Sequence, residues 1–160
     1  MNMLPNKYTK LAIVAGLVVL ADQVSKAFIL KYLPKHQSIA IIKGFFDILY
    51  PVCAFGLLST MFLFFCSVVF LFISSLAVGL ILYFYKKTPS TQPLLATGFA
   101  LIFGGAIGNL IDRVRFGNVV DFLDIYLGNR HWPAFNIADS AITVGIFIFI
   151  FHLLFKKIPE

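Results

Sequence analysis

Charged side chains are scarce in this sequence. Aspartate, glutamate, lysine and arginine make up 12% of its 160 residues, apolar residues make up 60%, and the mean hydropathy is +0.93. A soluble domain carries roughly twice that share of charge, about 25%. The composition therefore excludes an ordinary soluble protein and indicates an integral membrane protein whose solvent is lipid. At this length we expect one membrane domain over residues 1–160.

Basic runs, paired cysteines and metal-binding motifs are also missing. The net charge is +6, but most lysines stand beside apolar segments, which is typical of membrane anchoring rather than nucleic-acid binding. Cys53 and Cys66 have no recognisable pair spacing, so no disulfide framework is indicated. His36, His131 and His152 are isolated, and no HExxH or CxxC motif occurs, which argues against a zinc site. We expect no zinc site and no nucleic-acid partner.

Four apolar segments predict membrane helices. They cover residues 8–32, 57–85, 93–111 and 135–155, lengths that suit a hydrocarbon core of about 30 Å at about 1.5 Å per residue. A secretory signal peptide is the alternative for the first segment, because a basic start precedes a short apolar core. No good cleavage site follows that core, which favours a retained helix. We predict an all-α membrane protein of four transmembrane helices with a small β-rich extracytoplasmic element.

Four spans place both termini on the same side of the membrane. The lysines at positions 7 and 10, 86 and 87, and 156 and 157 fall on that side, which the positive-inside rule assigns to the cytoplasm. The rule is not cleanly obeyed, because the other basic residues fall on the opposite side. These are Lys26, Lys31, Lys35, Lys43, Arg113, Arg115 and Arg130.

Residues 34–56 are neither a clean span nor a polar loop. The β-branched residues around 38–42 are followed by Gly44, Asp47 and Pro51, with aromatic and aliphatic residues between them. Backbone that lacks internal hydrogen bonds cannot lie in hydrocarbon. We therefore predict a small β-rich element at the membrane interface, partly packed on the helices.

Residues 103–139 hold four of the seven acidic residues. Carboxylates at the edge of a membrane are costly and rarely without a function. Gly104, Gly105 and Gly108 precede the first of these acids. Gly104 and Gly108 form a small-xxx-small pattern, which predicts that two helices approach closely.

Asp112 is the first acid of this stretch. It shares a helix face with Asn109, one turn earlier. One interpretation is an ordinary helix end in which Asp112 pairs with Arg113 or Arg115. The other is a functional site, because polar residues begin before the apolar span has clearly ended. The sequence leaves both open.

Residues 119–126 are predicted to form a strand after a turn at Gly117 and Asn118. On a strand, Asp121 and Asp124 point to opposite faces, and Asp121 shares its face with aliphatic residues. A carboxyl group among apolar neighbours is desolvated, so its pKa rises and it holds a proton. Asp121 is therefore the candidate protonated acid, and Asp124 is expected to face away.

The last apolar segment begins with a capping pattern. Asn136 is predicted to be the N-cap and Asp139 the N3 residue, close to a capping box. Ordinary capping is one interpretation of Asp139. The other is catalytic, since a helix N-terminus favours an ionised carboxylate while apolar surroundings keep Asp121 protonated. Two carboxyl groups with pKa values pushed apart suit a water-activating aspartyl peptidase.

Other chemistries are less well supported. Ser25 and Lys26 are sequence neighbours that point in different directions on a helix, which disfavours a serine–lysine peptidase. Cys53 has no histidine near it in sequence to activate it, although His36 could approach it in space. A proton-relaying transporter would place acids near the midplane of several spans. Here the acids collect at one surface, and the second span has none.

Four pieces of the sequence resemble, in order, the lipoprotein signal peptidase family, also called signal peptidase II. They are residues 22–26 (DQVSK), 104–113 (GGAIGNLIDR), 119–122 (VVDF) and 135–139 (FNIAD). The last two pieces together are highly specific, whereas the first alone would be weak. The four-helix layout of the family covers essentially the whole chain.

The resemblance implies an aspartic endopeptidase with Asp121 and Asp139 as its catalytic pair. The supporting or substrate-binding positions that it implies are Asn109, Asp112, Arg113 and Asn136 around the pair and Asp22 and Lys26 in the first helix. The implied substrate is a bacterial prolipoprotein with diacylglyceryl on its lipobox cysteine, cut just before that cysteine. The resemblance further implies cytoplasmic termini in the bacterial inner membrane, an active site at the extracytoplasmic surface and contact with membrane lipid. It implies no metal and no organic cofactor. We expect a monomer.

The chain departs from the family pattern before its second helix. The family's usual Asn-x-Gly-Ala-Ala-Phe stretch corresponds here to residues 50–55 (YPVCAF), with Tyr50 at the asparagine position and Val52 at the glycine position. The chain thus lacks an amide that could orient a substrate, and it loses easy access to positive φ. These changes motivate an alternative function: a catalytically impaired relative that binds lipidated peptides without cleaving them.

Overall fold

The structure of the protein, a computed structural model, describes residues 6–35, 37–51 and 60–155. These ranges contain four long helices, each with a segment long and apolar enough to cross a membrane, together with a small sheet. The helices are α1 (Lys7–Tyr32), α2 (Thr60–Lys87), α3 (Pro93–Phe116) and α4 (Ile137–Phe155). The strands are β1 (Ser38–Ile42), β2 (Phe46–Leu49), β3 (Leu123–Leu127) and β4 (Arg130–His131). The predicted fold class is confirmed.

Helix α3 is the central helix, because it packs against α1, α2 and α4. It continues to Phe116 instead of ending near Ile111. Gly117 then closes it in the left-handed conformation, with φ 76°, and donates its N–H to the Arg113 carbonyl at 3.0 Å. The additional turn keeps Asp112 on the helix, facing the rest of the bundle, where it is buried.

The start of α1 and the turn between α2 and α3 lie at the same end of the bundle. The buried Tyr85 hydroxyl donates a hydrogen bond to the Lys7 carbonyl, and the Lys7 ammonium donates to the Lys86 carbonyl at 3.0 Å. The aspartates that the structure describes lie toward the other end. The bundle therefore has one basic end and one end that carries carboxylates.

The four strands form one antiparallel sheet in the order β1-β2-β3-β4. The predicted β-rich element is present in residues 38–49, and β3 and β4 extend it. Ile29 of α1 and Leu33, which follows α1, pack with Phe122 against side chains of the sheet, and Tyr50 is half-buried at the edge of this cluster. Position 52, where valine replaces the family's glycine, lies outside the described residues.

Close packing between α1 and α3 depends on glycine. A Cβ atom at Gly104 would lie 2.9 Å from both Ala15 Cα and Val18 Cβ of α1. A Cβ atom at Gly108, one turn later, would lie 2.7 Å from Asp22 Oδ2. The predicted close approach of two helices at Gly104 and Gly108 is confirmed, and the partner is α1.

The variant Gly104→Ala is expected to be destabilised by about 1–3 kcal/mol, because backbone atoms of α1 would have to move. Gly16→Ala is the matched control, since Gly16 lies on an exposed face of α1 and a Cβ atom there would meet no neighbouring helix or side chain within 4 Å. The control is expected to be neutral or slightly stabilising. Unfolding midpoints of both variants in one detergent check this, and equal shifts would contradict the proposed packing.

Candidate active site

Asp139 lies in the first turn of α4 and forms a reciprocal cap with Asn136. The Asn136 Oδ1 atom accepts the Asp139 N–H at 2.9 Å, and the Asn136 N–H donates to Asp139 Oδ2 at 3.2 Å. The predicted capping arrangement is therefore confirmed. Asp139 Oδ1 accepts a second hydrogen bond, from Asn109 Nδ2 at 2.8 Å. Both oxygens of this carboxyl group are thus oriented by N–H donors.

Asp121 does not lie on a strand, and the predicted strand over residues 119–126 is wrong at its start. Strand β3 begins at Leu123. The Val120 N–H donates to the Asp112 side chain at 3.1 Å, and the Phe122 N–H donates to the Phe135 carbonyl at 3.1 Å. These bonds replace strand pairing and hold the segment beside the start of α4.

The buried Asn136 connects the two aspartates through its side chain and its backbone. Its Nδ2 atom donates to Asp121 Oδ1 at 2.7 Å, while its backbone N–H donates to Asp139 Oδ2. Nδ2 also lies 3.1 Å from Asn109 Oδ1, and Asn136 is 0% exposed. Asp121, Asp139, Asn109 and Asn136 therefore form one hydrogen-bonded cluster at the end of the bundle that meets the sheet.

Burial raises the pKa of Asp121 above its ordinary value, and the neighbouring Asp139 charge raises this pKa further. The hydrogen bond from Asn136 and the positive charge of Lys26 act in the opposite direction with smaller effect. The direction agrees with the sequence-based prediction, but the cause is tertiary packing rather than the alternation of a strand. Asn136 contacts Asp121 through Oδ1.

Lys26, Asp22 and Asp112 form a buried ion cluster next to the segments that carry the two aspartates. The Lys26 ammonium is 2.8 Å from Asp22 Oδ2 and 2.7 Å from Asp112 Oδ2, and all three side chains are at least 97% buried. Of the two interpretations of Asp112, the one in which it pairs with Arg113 or Arg115 is therefore wrong. An interior cation compensates Asp112 better than an exposed arginine does, because few water molecules compete for it.

Each carboxylate of this cluster also holds backbone next to one aspartate of the pair. Asp22 Oδ1 accepts the N–H of Ala138 at 3.0 Å, and Asp112 Oδ2 accepts the N–H of Val120. Ala138 and Val120 immediately precede Asp139 and Asp121 in the chain. Lys26 thus connects α1 and α3 to the two segments that carry the pair.

Gln23 has a place in this cluster that the sequence did not reveal. Its Nε2 atom donates to Asp112 Oδ1 at 2.9 Å and lies 3.1 Å from Asp22 Oδ2. Gln23 lies in residues 22–26, the first of the four pieces that resemble the family, and this position could have indicated its role. Arg113 donates to the Asn109 carbonyl of its own helix at 3.2 Å, and among the described residues it forms no ion pair with Asp121 or Asp139.

Asp124 belongs to a separate pair on the sheet. Its Oδ2 atom lies 2.8 Å from His131 Nδ1, and the Tyr126 ring stacks on the imidazole with centroids 4.9 Å apart. Asp124 is buried, and no hydrogen bond within the described residues joins it to Asp121. Nowhere in those residues are three His, Cys, Asp or Glu side chains grouped so that they could hold a metal ion.

Comparison with known proteins agrees with this arrangement. The family model described as signal peptidase (SPase) II matches residues 14–155. The chain belongs to the signal peptidase II family. The lipoprotein signal peptidase of Desulforapulum autotrophicum is 48% identical over 154 residues, which cover 94% of this chain and 95% of that protein. The lipoprotein signal peptidase of Syntrophus aciditrophicus is 43% identical over 148 residues, which cover 91% of this chain and 92% of that protein.

A solved structure of a bacterial membrane enzyme has the same fold. It superimposes with a TM-score of 0.77 at 33% sequence identity and covers 92% of this chain and 94% of its own. The family and the relatives make the chain an enzyme, an aspartic-type endopeptidase of the signal peptidase II class. Its helices make it a multi-pass bacterial membrane protein.

Proposed function

We propose that this signal peptidase II removes signal peptides from bacterial prolipoproteins, cutting just before the diacylglyceryl-modified cysteine, with Asp121 and Asp139 as the catalytic pair. The observation that supports the pair most strongly is the buried Asn136, which donates a hydrogen bond to each carboxyl group. The substrate class follows from relatives that are named lipoprotein signal peptidases.

In the proposed reaction, Asp139 accepts a proton from a water molecule as that water attacks the carbonyl carbon before the cysteine. Asp121 supplies a proton, so that the C–N bond breaks and the cysteine leaves with a free amine. The raised pKa of Asp121 supports its role as the acid. The N–H donors on both oxygens of Asp139 support its role as the base, since they hold this carboxyl group in one orientation.

We assign positioning roles to Asp22, Asp112 and Lys26, which act through the backbone rather than on the substrate. Asn109 and Asn136 orient the carboxyl groups directly. A catalytic pair requires its two groups within a few tenths of an ångström of a productive geometry. The buried cluster of Lys26, Asp22 and Asp112 supports that precision, because it fixes the backbone next to each aspartate of the pair.

The sheet is the proposed neighbour of the substrate's acyl chains. Ile39, Ile41, Ile42 and Phe45 are exposed apolar side chains beside the end of the bundle that carries the aspartates. The acyl chains remain in the bilayer while the peptide bond needs water, so the reaction belongs at a membrane surface. The lysines at the opposite end support cytoplasmic termini, and with them an extracytoplasmic position for the proposed site.

A peptide-cleavage assay tests this function. The purified protein is incubated in detergent with a lipobox peptide whose cysteine carries diacylglyceryl, and with the same peptide carrying a free thiol. Mass spectrometry is expected to find a single cut before the cysteine in the acylated peptide and little or none in the other. Binding of the acylated peptide without any product would contradict the proposal.

The stability of Asp121→Asn should depend on pH in a defined way. The pKa of Asp121 is raised in the folded protein above its ordinary value of 3.8. The protonated carboxyl group therefore contributes to the free energy of unfolding at pH values below 3.8, and this contribution is lost as the pH rises through the raised pKa. The asparagine variant lacks this loss. It should therefore unfold at a higher temperature than the parent protein near neutral pH, with a difference that shrinks toward acidic pH. A variant that is less stable at every pH would contradict a raised pKa.

A further inference from the structure

A cavity of about 580 Å³ lies at the basic end of the bundle, opposite the aspartate pair. The start of α1, the turn between α2 and α3 and the start of α3 surround it. Lys7 and Lys10 line one part of the cavity, and Ile13, Val14 and Ala96 line another. This volume is in the range of cavities that hold small molecules.

The two lysines are fixed in position but keep unused hydrogen-bond donors. Lys7 donates to the carbonyls of Lys86 and Thr88, and Lys10 donates to the Pro93 carbonyl at 2.9 Å. An ammonium group has three N–H donors, so each lysine retains at least one. In the described part of the chain neither lysine is within ion-pair distance of a carboxylate. Two positive charges therefore line the cavity, and no carboxylate among the described residues pairs with them.

The polarity of the lining changes along α1. The lysines at positions 7 and 10 lie at the end of the span, and Ile13 and Val14 lie about one turn further along the helix, toward the centre of the membrane. A free inorganic anion would use only the charged part of such a cavity. A phospholipid with an anionic headgroup would use both parts, because its phosphate lies at the membrane surface and its chains point inward.

We propose that this cavity binds an anionic phospholipid. Its phosphate contacts Lys7 and Lys10, and the first part of one acyl chain lies against Ile13, Val14 and Ala96. The bound lipid joins α1 to the turn between α2 and α3, so it stabilises the bundle at the end away from the reaction. The site is separate from the one that holds the substrate's diacylglyceryl group.

Native mass spectrometry of the full chain tests this proposal. The probes are phosphatidylglycerol and phosphatidylcholine with identical acyl chains, added separately to the detergent-solubilised protein. A one-to-one phosphatidylglycerol adduct is expected to persist at collision energies that strip phosphatidylcholine. Lys10→Gln should weaken phosphatidylglycerol binding roughly fivefold, the effect of one lysine on an anionic lipid. Lys86→Gln removes the same charge at the same end from a side chain outside the cavity, and should leave binding unchanged.

A second variant keeps both lysines and their contacts with the turn. Ser90→Glu places a negative charge in the cavity lining and should weaken phosphatidylglycerol binding without affecting phosphatidylcholine. Equal retention of the two lipids, or equal losses in Lys10→Gln and Lys86→Gln, would overturn the proposal. Inorganic phosphate that raises the unfolding temperature as much as phosphatidylglycerol does would show a free-anion site and would also overturn it.

Discussion

Asp121→Asn and Asp139→Asn are each expected to lower the single-turnover rate of prolipoprotein cleavage by at least about a thousandfold, in keeping with the loss of a general acid or base. Asparagine keeps the size of the side chain and an oxygen that accepts the hydrogen bond from Asn136. It cannot accept a proton from water or supply one to the leaving amine. The rate is measured with excess enzyme over a diacylglyceryl lipobox peptide.

Asp47→Asn is the matched control for these two variants. Asp47 is a half-buried aspartate of β2 that accepts a hydrogen bond from the Tyr126 hydroxyl at 3.0 Å. The same chemical change at this position is expected to leave the rate within a few fold of the parent protein. If Asp139→Asn cleaved the peptide as fast as Asp47→Asn, Asp139 would not be the base.

The second large effect is expected from Lys26→Met. Removing this ammonium leaves Asp22 and Asp112 buried next to each other without a cation, which should cost about 3–5 kcal/mol of folding free energy. The backbone that precedes Asp121 and Asp139 also loses a fixed support. If Lys26→Met still folds, it should bind the peptide with little change in affinity but cleave it more slowly.

Two further variants separate this role from general loss of charge. Lys31→Met removes an exposed lysine of the same helix, whose contact is with the Tyr32 ring, and should have little effect on stability. Asp22→Asn keeps an oxygen for the Ala138 N–H and should be milder than Lys26→Met. A Lys26→Met variant as stable and active as Lys31→Met would show that the cluster does not position the pair.

Sequence spacing predicted the parts of the site that depend on contacts within one or two helical turns. The cap at Asn136 and Asp139 spans one helical turn, so sequence spacing was enough to place it. The close approach at Gly104 and Gly108 followed from the same kind of spacing, because small residues one turn apart favour helix contact.

Tertiary contacts determined what the sequence did not predict. Lys26 and Asp112 are far apart in sequence, and the partners that the sequence offered for Asp112 in one of its two interpretations were the nearby Arg113 and Arg115. Only the packing of α1 on α3 excludes them. The start of β3 was misplaced for a related reason, since the Asp112 side chain accepts the Val120 N–H that a strand would have used.

Cleavage in H₂¹⁸O with added hydroxylamine tests the central claim, direct attack by water between Asp121 and Asp139, most directly. Mass spectrometry of the released signal peptide is expected to show one ¹⁸O atom in its new carboxylate after a single turnover, with no hydroxamate and no adduct on the protein. A hydroxamate product, or a peptide bound covalently to the protein, would show an enzyme nucleophile and contradict a water-activating pair.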